Sequence, residues 1–394
     1  IGFKNNTWIP IRTRPDKPFP QEASVAYNIW STITNPVYQT LIEGQGITDL
    51  TFDKDVSLDY YVDNYKSSSE DKPIRDLHNY IKRSLISTSI SLLKRGNISV
   101  LDTSIGRGGD LNKYFPYNNF DTNTTVSFLL GLDISSNINE AARRYYQKYM
   151  TKSLAMFLQY DTSISIQSGK GLINPKDKRY WNALFTDNKT DLDKNYRIYC
   201  KKGFDIVSCQ FSFHYYFKNE DTLRGYLENV STSLNKGGYF IGTCYDGSKV
   251  FNSLVENDLE MTDDFGNIVY SIKKNYNIDN FDYDPTDNNC YGQEIKVYMS
   301  SIGQEITEYL VNFELVLDII KDYDLELVDV KNKTISGNSI GSFKDIIDNL
   351  EKIKEKDKYL KSHAAKDIFK IKNKSYEPLR LLSNFNNWFI FRKS

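Results

Sequence analysis

The chain has 394 residues and carries 50 lysines and arginines against 51 aspartates and glutamates, so its formal net charge at pH 7 is −1. This balance excludes a protein that is basic throughout, and any nucleic-acid contact must come from a local patch or from a small ligand such as one terminal nucleotide. The length allows one large domain or two ordinary ones, and 29 tyrosines and 22 phenylalanines offer surfaces for stacking.

Cysteine and histidine are too sparse and too scattered to predict a metal site or a disulfide framework. None of the four cysteines forms a C-x-x-C pair, and the chain has three histidines. We therefore predict no bound metal, and reduced thiols in a cytosolic setting. No apolar run reaches membrane-spanning length, so we expect no membrane association.

Residues 1–36 do not have the pattern of a domain start. The segment is too short to bury a core of its own. Four charged residues stand there between apolar positions and prolines: Arg12, Arg14, Asp16 and Lys17. We expect either the tail of a preceding domain with a linker, or an N-terminal arm across the main domain, which spans residues 37–394. Residues 39–69 are polar and predict a loop.

Helices and strands alternate from residue 75. Apolar residues at helical spacing predict a helix over residues 75–94. An aliphatic run then ends at Asp102 and is followed by a glycine-bearing turn over residues 104–109. A second apolar run ends at Asp133, and Ser135 or Ser136 is expected to cap the next helix.

The alternation continues to residue 244. Further strands are predicted over residues 153–160, 204–213 and 239–244, with a helix over 220–234 and a turn over 235–238. Residues 162–203 are polar and predict an insertion. Strands that alternate with helices at short spacing favour a parallel, doubly wound α/β sheet.

The second half of the chain has a less regular pattern. We predict β structure over the open edge of the sheet for residues 291–311, a helix over 313–323, a strand over 325–330, a charged helix over 342–359 and a last strand over 387–391. A closing C-terminal strand fits an α/β sheet that ends in an antiparallel hairpin.

Three acids stand at the carboxyl ends of successive predicted strands, where open α/β sheets bind ligands: Asp102, Asp133 and Asp161. Asp133 suits a ribose and Asp161 an adenine amino group. The turn sequence G-x-G-G-D departs from the dinucleotide pattern G-x-G-x-x-G and lacks a clear pyrophosphate cradle, which favours S-adenosylmethionine (SAM) over NAD. The alternative is a glycine turn in some other α/β fold.

The end of the fourth strand is where a substrate would meet this cofactor. Residues 210–215 read Q-F-S-F-H-Y, which is aromatic with one histidine and suits a flat substrate held by stacking. No N-P-P-Y tetrapeptide, no nucleophilic cysteine with a clear His/Asp partner set and no K-D-K-E set stands out. Without further context, a histidine such as His214 is more often a buried structural residue than a ligand-binding one.

Six segments together resemble the mRNA cap guanine-N7 methyltransferase family: VLDTSIGRGGDLNKY, GLDIS, FDIVSCQFSFHYYF, LNKGGYFIGT, FGNIVYSI and EYLVNF. The similarity spans about residues 76–313, and the CQF-x-F-HY block is highly specific. Where these segments differ from the family pattern, they resemble the multifunctional capping enzymes of large cytoplasmic DNA viruses, most closely that of African swine fever virus. Residues 1–36 resemble the end of the guanylyltransferase domain that precedes the methyltransferase there.

The resemblance implies a Rossmann-like SAM-dependent methyltransferase fold and two sets of site residues. It assigns SAM to Lys82, Asp102, Ser104, Gly106, Asp133, Asp161, Gln210 and Tyr215. It assigns the cap to Asn79, Arg107, Lys113, Arg144, Phe211, His214, Tyr215 and Glu308. Lys82 would hold the methionine carboxylate, the three basic cap residues would face phosphates, and Glu308 would accept the guanine edge N–H groups.

Some positions depart from the family pattern. Ser104 stands where the family has the first glycine of its turn, and Arg107 stands where it has lysine. The family's tyrosine near the C-terminal strand has no clear counterpart, and Phe385 or Asn386 lies there.

The resemblance also implies a reaction and its partners. Guanine N7 carries a lone pair and no proton, so transfer of a methyl group needs positioning and no general base. The partners would be the capped 5′ end of mRNA and preceding triphosphatase and guanylyltransferase domains of the same polypeptide, with a small stimulatory subunit as a further candidate. The location would be cytoplasmic viral factories, with the virion as a second candidate. A methyltransferase for another acceptor and a non-enzymatic capping subunit are the alternatives.

Overall fold

The computed structural model of the chain describes residues 2–4, 7–9, 72–115, 124–149, 153–186, 200–262, 266–300 and 302–394. The chain divides into two compact units, residues 1–57 and 58–394. In the first unit the described residues form strands β1 (Gly2–Lys4) and β2 (Thr7–Ile9), which pair antiparallel. The predictions for residues 10–71 and for residues 187–199 of the insertion lie outside the described residues.

The second unit is built on an eight-stranded sheet. Its members are β3 (Asn97–Asp102), β4 (Thr125–Asp133), β5 (Leu154–Gln159), β6 (Phe204–Gln210), β7 (Leu234–Tyr245), β12 (Leu325–Leu327), β15 (Ile340–Ser342) and β16 (Asn386–Lys393). The order is β12-β16-β7-β6-β3-β4-β5, and β15 also pairs with β16. Strands β3 to β7 are parallel, while β16 is antiparallel to β7. The predicted mostly parallel sheet with an antiparallel C-terminal strand is confirmed.

Helices cover the sheet. They are α1 (Lys72–Leu93), α2 (Leu111–Tyr114), α3 (Ile138–Lys148), α4 (Lys178–Phe185), α5 (Glu220–Ser233), α6 (Gly247–Ser253) and α7 (Phe313–Ile319). Helix α1 buries Leu77, Ile81 and Leu85, one every four residues, so a single apolar stripe faces the sheet. Every residue of β6 is buried, as expected for a central parallel strand covered on both faces. No described helix is long and apolar enough to cross a membrane.

A second, four-stranded antiparallel sheet holds the region predicted to be β structure over residues 291–311. Its strands are β8 (Leu259–Thr262), β9 (Ile268–Asn275), β10 (Glu294–Met299) and β11 (Glu305–Tyr309), in the order β11-β10-β9-β8. Strand β11 lies against a 3-10 turn, Phe213–Lys218, that follows β6. This contact brings the second sheet to the carboxyl end of the main one.

In the C-terminal part, one predicted helix and one predicted strand are each divided into shorter elements. The predicted charged helix over residues 342–359 is three short helices, α8 (Phe343–Asp348), α9 (Leu350–Lys356) and α10 (Lys358–Lys361), because Asn349 and Asp357 leave helical geometry. The last helix is α11 (Glu377–Asn384). The predicted strand over 325–330 is β12 followed by β13 (Asp329–Lys331), which pairs with β14 (Ser336–Asn338) in a hairpin.

Three predicted boundaries before residue 245 are also wrong. Strand β6 ends at Gln210 and not at residue 213, because Phe211 adopts a φ of 55°. The predicted turn over residues 235–238 is an irregular stretch inside β7, where the pairing register with β6 shifts. Helix α3 has Asn137 at its N-cap position, and Ser135 instead accepts the Asn137 N–H at 3.3 Å.

Candidate functional site

The carboxyl ends of β3, β4 and β6 meet at one edge of the sheet, and the turn after β3 lies there. Gly106 in this turn has a φ of 51°, a conformation that glycine adopts without strain. Its N–H donates to Oδ2 of Asp133 at 2.7 Å, and the N–H of Ser135 donates to Oδ1 at 2.9 Å. Asp133 therefore fixes the glycine turn against the end of β4. Burial raises the pKa of Asp133.

Asp102 closes the inner side of the turn. Its carboxyl accepts the N–H of Ser104 at 3.1 Å and the hydroxyl of Tyr114 at 2.9 Å. Burial, reinforced by the charge of Asp110, raises the pKa of Asp102 to about 7. The Ser104 hydroxyl accepts the backbone N–H of Gln210 at 3.3 Å, so the residue that replaces glycine here connects the turn to β6.

Gln210 and Asp161 are the other two predicted cofactor residues at the strand ends. Gln210 is held on both sides of its amide, donating to Ser208 at 3.0 Å and accepting from the Thr243 hydroxyl at 3.1 Å. Asp161 follows β5, and its Oδ1 accepts the N–H and the hydroxyl of Ser163. Both side chains are thus oriented by neighbours.

A buried ion cluster lies between α1 and α2. Asp110 Oδ1 is 2.7 Å from Nζ of Lys82 and 2.7 Å from Nζ of Lys113. Burial alone would raise the pKa of Asp110, but the two ammonium groups outweigh it and keep that pKa below its ordinary value. Lys113 also donates to Asn79 Oδ1 at 3.0 Å and to the Gly109 carbonyl at 3.2 Å. The cluster ties the predicted carboxylate-binding lysine to the loop after the glycine turn.

The three residues expected at the cap phosphates do not share one environment. Lys113 was expected to face phosphates, but its side chain is 1% exposed and burial lowers its pKa to about 8, so in this geometry it braces the loop. Arg107 donates to Asn137 Oδ1 at 2.8 Å, and Arg144 donates to Glu140 at 2.8 Å. Arg144 borders a cavity of about 140 Å³ whose lining also includes Gly108, Gly109, Leu111, Asn112, Lys148 and Tyr149.

His214 and Glu308 form a second buried pair at the same edge. His214 lies in the 3-10 turn after β6 and Glu308 lies on β11, and each is 3% exposed. Nε2 of His214 is 3.5 Å from Oε1 of Glu308. Burial lowers the pKa of His214 to about 3 and raises the pKa of Glu308 to about 8, so both groups are neutral at pH 7. Within the described part of the chain, both ring nitrogens of His214 and Oε2 of Glu308 lack a hydrogen-bond partner.

Aromatic rings flank this pair. The ring of Tyr215 is 4.3 Å from that of His214, edge on, and the ring of Tyr245 is 6.3 Å away and nearly parallel. Burial raises the pKa of Tyr245. Two aromatic rings and two buried polar groups thus lie together at this edge of the sheet.

Phe211, the residue after β6, lies against α1 beside the ion cluster. Its φ of 55° is rare for a residue with a bulky side chain, and such strain is concentrated at functional sites. The strained residue is held by its N–H, which donates to the Thr243 carbonyl at 2.8 Å. Its ring stacks on His78 at 5.1 Å, and Nζ of Lys82 lies 5.7 Å from its centroid. The reversed backbone turns this ring toward α1 and Lys82.

Three residues at this edge were missed by sequence reasoning: His78, Asp110 and Tyr245. Asp110 closes the G-x-G-G-D turn, so its position was available as a signal. Tyr245 ends β7, and the rule that ligands bind at strand ends would have included it. His78 gave no signal beyond its place near Lys82. No group of three His, Cys, Asp or Glu residues in the described ranges is placed to hold a metal ion, and all four cysteines are free.

The chain matches the model of one protein family, described as the mRNA (guanine-N(7))-methyltransferase domain, over residues 61–365. It is 30% identical over 360 residues to a probable mRNA-capping enzyme of Acanthamoeba polyphaga mimivirus, covering 82% of this chain and 28% of that protein. It is 29% identical over 272 residues to the mRNA cap guanine-N(7) methyltransferase of Candida albicans, covering 64% of this chain and 52% of that protein.

A solved structure, an S-adenosylmethionine-dependent methyltransferase from Clostridium acetobutylicum, is 15% identical with a TM-score of 0.38, covering 73% of this chain and 89% of that one. The chain spans between about a quarter and about half of the two relatives named above. The family match covers well over half of the chain and includes every site residue described above. The chain therefore belongs to the mRNA (guanine-N(7))-methyltransferase domain family.

Proposed function

We propose that this chain transfers a methyl group from SAM to N7 of the guanine cap of mRNA, converting GpppN to m7GpppN and leaving S-adenosyl-L-homocysteine. One observation carries the proposal: the buried pair of His214 and Glu308 lies at the carboxyl end of β6, and the glycine turn that Asp133 fixes follows β3, the neighbouring strand. The proposed cofactor residues and this pair of buried polar groups therefore share one edge of the sheet.

The residues at the glycine turn fit SAM. Gly106 lets the backbone approach a ligand, since a side chain added there would meet only Oδ2 of Asp133, at 4.0 Å. Asp133 would accept the ribose hydroxyls, Lys82 would hold the carboxylate of the methionine part, and Asp161 would accept the adenine amino group. When bound, SAM supplies an electrophilic methyl group on its sulfonium. Asp102, Ser104, Gln210 and Tyr215 complete the proposed cofactor set.

His214, Tyr215 and Glu308 would orient the guanine. Buried polar atoms without hydrogen-bond partners are rare in folded proteins. The ring nitrogens of His214 and Oε2 of Glu308 are such atoms, and a ligand with hydrogen-bonding groups along its edge would supply their partners. Glu308 would accept the N–H groups of the guanine edge, and His214 and Tyr215 would contact the base. Asn79, Arg107, Lys113, Arg144 and Phe211 make up the rest of the proposed cap set, Lys113 only after a rearrangement that exposes it.

No residue needs to act as an acid or a base. Guanine N7 offers a lone pair and carries no proton, so nothing has to be removed before the methyl group is transferred. His214, with its pKa lowered to about 3 by burial, stays neutral at pH 7 and does not carry the acidic proton of an imidazolium. The contribution of the chain is proximity and orientation, which can account for several kcal/mol of a barrier.

The test is methyl transfer from labelled SAM to GpppA-capped RNA, with uncapped RNA and m7GpppA-capped RNA as controls. Transfer only to the unmethylated cap is the expected result. Transfer to uncapped RNA, or equal transfer to the methylated cap, would contradict guanine-N7 specificity. SAM binding measured by calorimetry without any transfer to a cap would point to another acceptor.

We further propose that the chain is the methyltransferase part of a multifunctional viral capping enzyme of the African swine fever virus type. The support is the R-x-R-x-D-K sequence of Arg12 to Lys17, which resembles the end of a guanylyltransferase domain. Residues 1–36 would then be the tail of that domain and 37–394 the methyltransferase domain. Three further proposals follow from it. Triphosphatase and guanylyltransferase domains would precede this one in the same polypeptide, a small stimulatory subunit would be a candidate partner, and the enzyme would act in cytoplasmic viral factories, with the virion as a second candidate location.

A further inference from the structure

Residues 350–376, here called the lysine segment, are rich in lysine. The segment has nine lysines and four acids. Two of the acids, Asp357 and Asp367, are each 7% exposed and take part in internal contacts. Asp357 accepts the hydroxyl of Tyr80, and Asp367 pairs with Lys72 and Lys370. The exposed acids of the segment are therefore Glu351 and Glu355.

Most lysines of the segment point into solvent with their charge unpaired. Among the described residues, none forms an ion pair or a side-chain hydrogen bond with Lys356, Lys358, Lys361 or Lys366, and all four are exposed. Lys352 and Lys374 are likewise exposed and have no ion pair or side-chain hydrogen bond among the described residues. Unpaired ammonium groups in this number create a local positive field although the whole chain has a net charge of −1.

The lysine segment is joined to the candidate site by α1. Tyr80 of α1 stacks on Tyr359 of the segment at 5.9 Å, and the Arg83 guanidinium lies 5.7 Å from the same Tyr359 ring. The side chains of Asn79 and Lys82, on neighbouring positions of α1, reach the ion cluster of the site. One helix thus separates the basic surface from the cluster.

We propose that the lysine segment binds the phosphodiester backbone of the RNA that follows the cap. The proposal rests on the proposed function, because it presumes that a capped RNA is the substrate. Lysines neutralise phosphates as mobile point charges and carry no sequence information, which suits an enzyme that must accept any transcript. Among the neighbouring acids, Asp348 is within ion-pair distance of Lys344 and Glu377 is within ion-pair distance of Arg380, which limits their repulsion of RNA.

The experiment compares two triple variants of the full chain. Lys358→Gln/Lys361→Gln/Lys366→Gln removes three charges from the lysine segment. Lys202→Gln/Lys236→Gln/Arg392→Gln removes three exposed charges at the opposite end of the sheet, where β6 and β7 begin. Methylation is measured with the dinucleotide GpppA, which is too short to extend beyond the cap site, and with a capped RNA of about 20 nucleotides over a series of salt concentrations.

We expect the lysine-segment variant to raise KM for the capped RNA about fivefold or more at low salt, with kcat and the kinetics on GpppA unchanged. Three lost phosphate contacts should also reduce the slope of log KM against log salt by about 2, at about 0.7 per contact with single strands. The variant at the opposite end should stay within about twofold of the wild type.

Other outcomes separate two kinds of failure. Absence of GpppA methylation by the wild type would contradict the proposed function itself. Normal GpppA methylation combined with an unchanged KM and salt slope for capped RNA in the lysine-segment variant would overturn the RNA path, and would leave an acidic protein partner as the ligand of this surface. The RNA path would also be overturned if the lysine-segment variant raised KM for GpppA as much as for capped RNA, or if the opposite-end variant raised KM for capped RNA as much as the lysine-segment variant does.

Discussion

Nε2 of His214 and Oε1 of Glu308 lie 3.5 Å apart, each side chain 4% exposed, although His214 lies in the turn after β6 of the main sheet and Glu308 lies on β11 of the second sheet. A buried His–Glu contact of this kind is commonly an ion pair. Here burial lowers the pKa of His214 to about 3 and raises the pKa of Glu308 to about 8, so both partners are neutral at pH 7. The site thus holds a proton on Glu308, which a ligand that donates to the carboxyl can displace.

Replacing Glu308 with Gln should change how stability depends on pH. The folded state keeps the Glu308 proton to a pKa of about 8, whereas the unfolded state loses it near 4.5, so this carboxyl destabilises the wild type as the pH rises between those values. The variant should match the wild type near pH 5. It should gain up to about 1.4 kcal/mol per pH unit relative to the wild type toward pH 8. Urea unfolding at several pH values measures this.

Glu305→Gln is the matched control, because Glu305 lies on the same strand with its side chain 42% exposed beside Lys273. Its effect should stay within about 1 kcal/mol at every pH. Asp102, whose pKa is about 7, titrates in both proteins and cancels from the comparison. A stability difference for Glu308→Gln that does not change with pH would mean that the carboxyl is ionised in the folded protein.

Asp133→Ala and Glu308→Ala should separate binding of the cofactor from use of the cap. Asp133 Oδ1 and Oδ2 fix the turn that carries Gly106, and loss of a charged acceptor costs about 1.5 to 3 kcal/mol, which is roughly a 10-fold to 150-fold loss of SAM affinity. Glu308→Ala should bind SAM within about threefold of the wild type and lose cap methylation. Calorimetry with SAM and the transfer assay measure the two effects. Normal cap methylation by Glu308→Ala would refute the role assigned to this residue.

Asp110→Asn should destabilise the fold strongly. It leaves the ammonium of Lys113, 1% exposed, and that of Lys82 without their shared counter-charge. Breaking a buried pair in this way costs about 3 to 5 kcal/mol. Asp348→Asn removes an exposed partner of Lys344 and should cost less than about 1 kcal/mol. If the two variants unfold at the same urea concentration, the cluster is not buried as described.

The sequence was sufficient to predict the parallel sheet because its strands are continuous apolar runs bounded by polar turns. It could not place the end of β6, because the apolar run continues through Phe213 and periodicity does not register the reversal of φ at Phe211. The position of Lys113 in the motif led to its assignment to a phosphate. Its burial beside Asp110 depends on how α1 packs on α2, which the motif does not contain. Likewise, only tertiary packing brings β11, and with it Glu308, to the end of β6.

The glycine turn also owes its shape to packing, which a pair of neighbouring glycines can test. Gly108 has a φ of 75°, and a Cβ there would lie 2.8 Å from Cδ1 of Leu111 and 2.9 Å from Cα of Ala141 in α3. Gly108→Ala should therefore destabilise the protein by about 2 to 4 kcal/mol, from left-handed strain and overpacking. Gly109→Ala, which meets nothing within 4 Å and is not left-handed, should stay within about 0.5 kcal/mol.

Urea unfolding and SAM calorimetry on the two alanine variants complete this test. The Gly108→Ala variant should also bind SAM more weakly than the wild type, because the turn between Gly106 and α2 must move away from α3 to accommodate the added methyl group. Gly109→Ala should bind SAM like the wild type. Equal stability of the two variants would show that the loop relaxes freely, and that the close approach of the glycine turn to α3 is not what sets the geometry of the cofactor site.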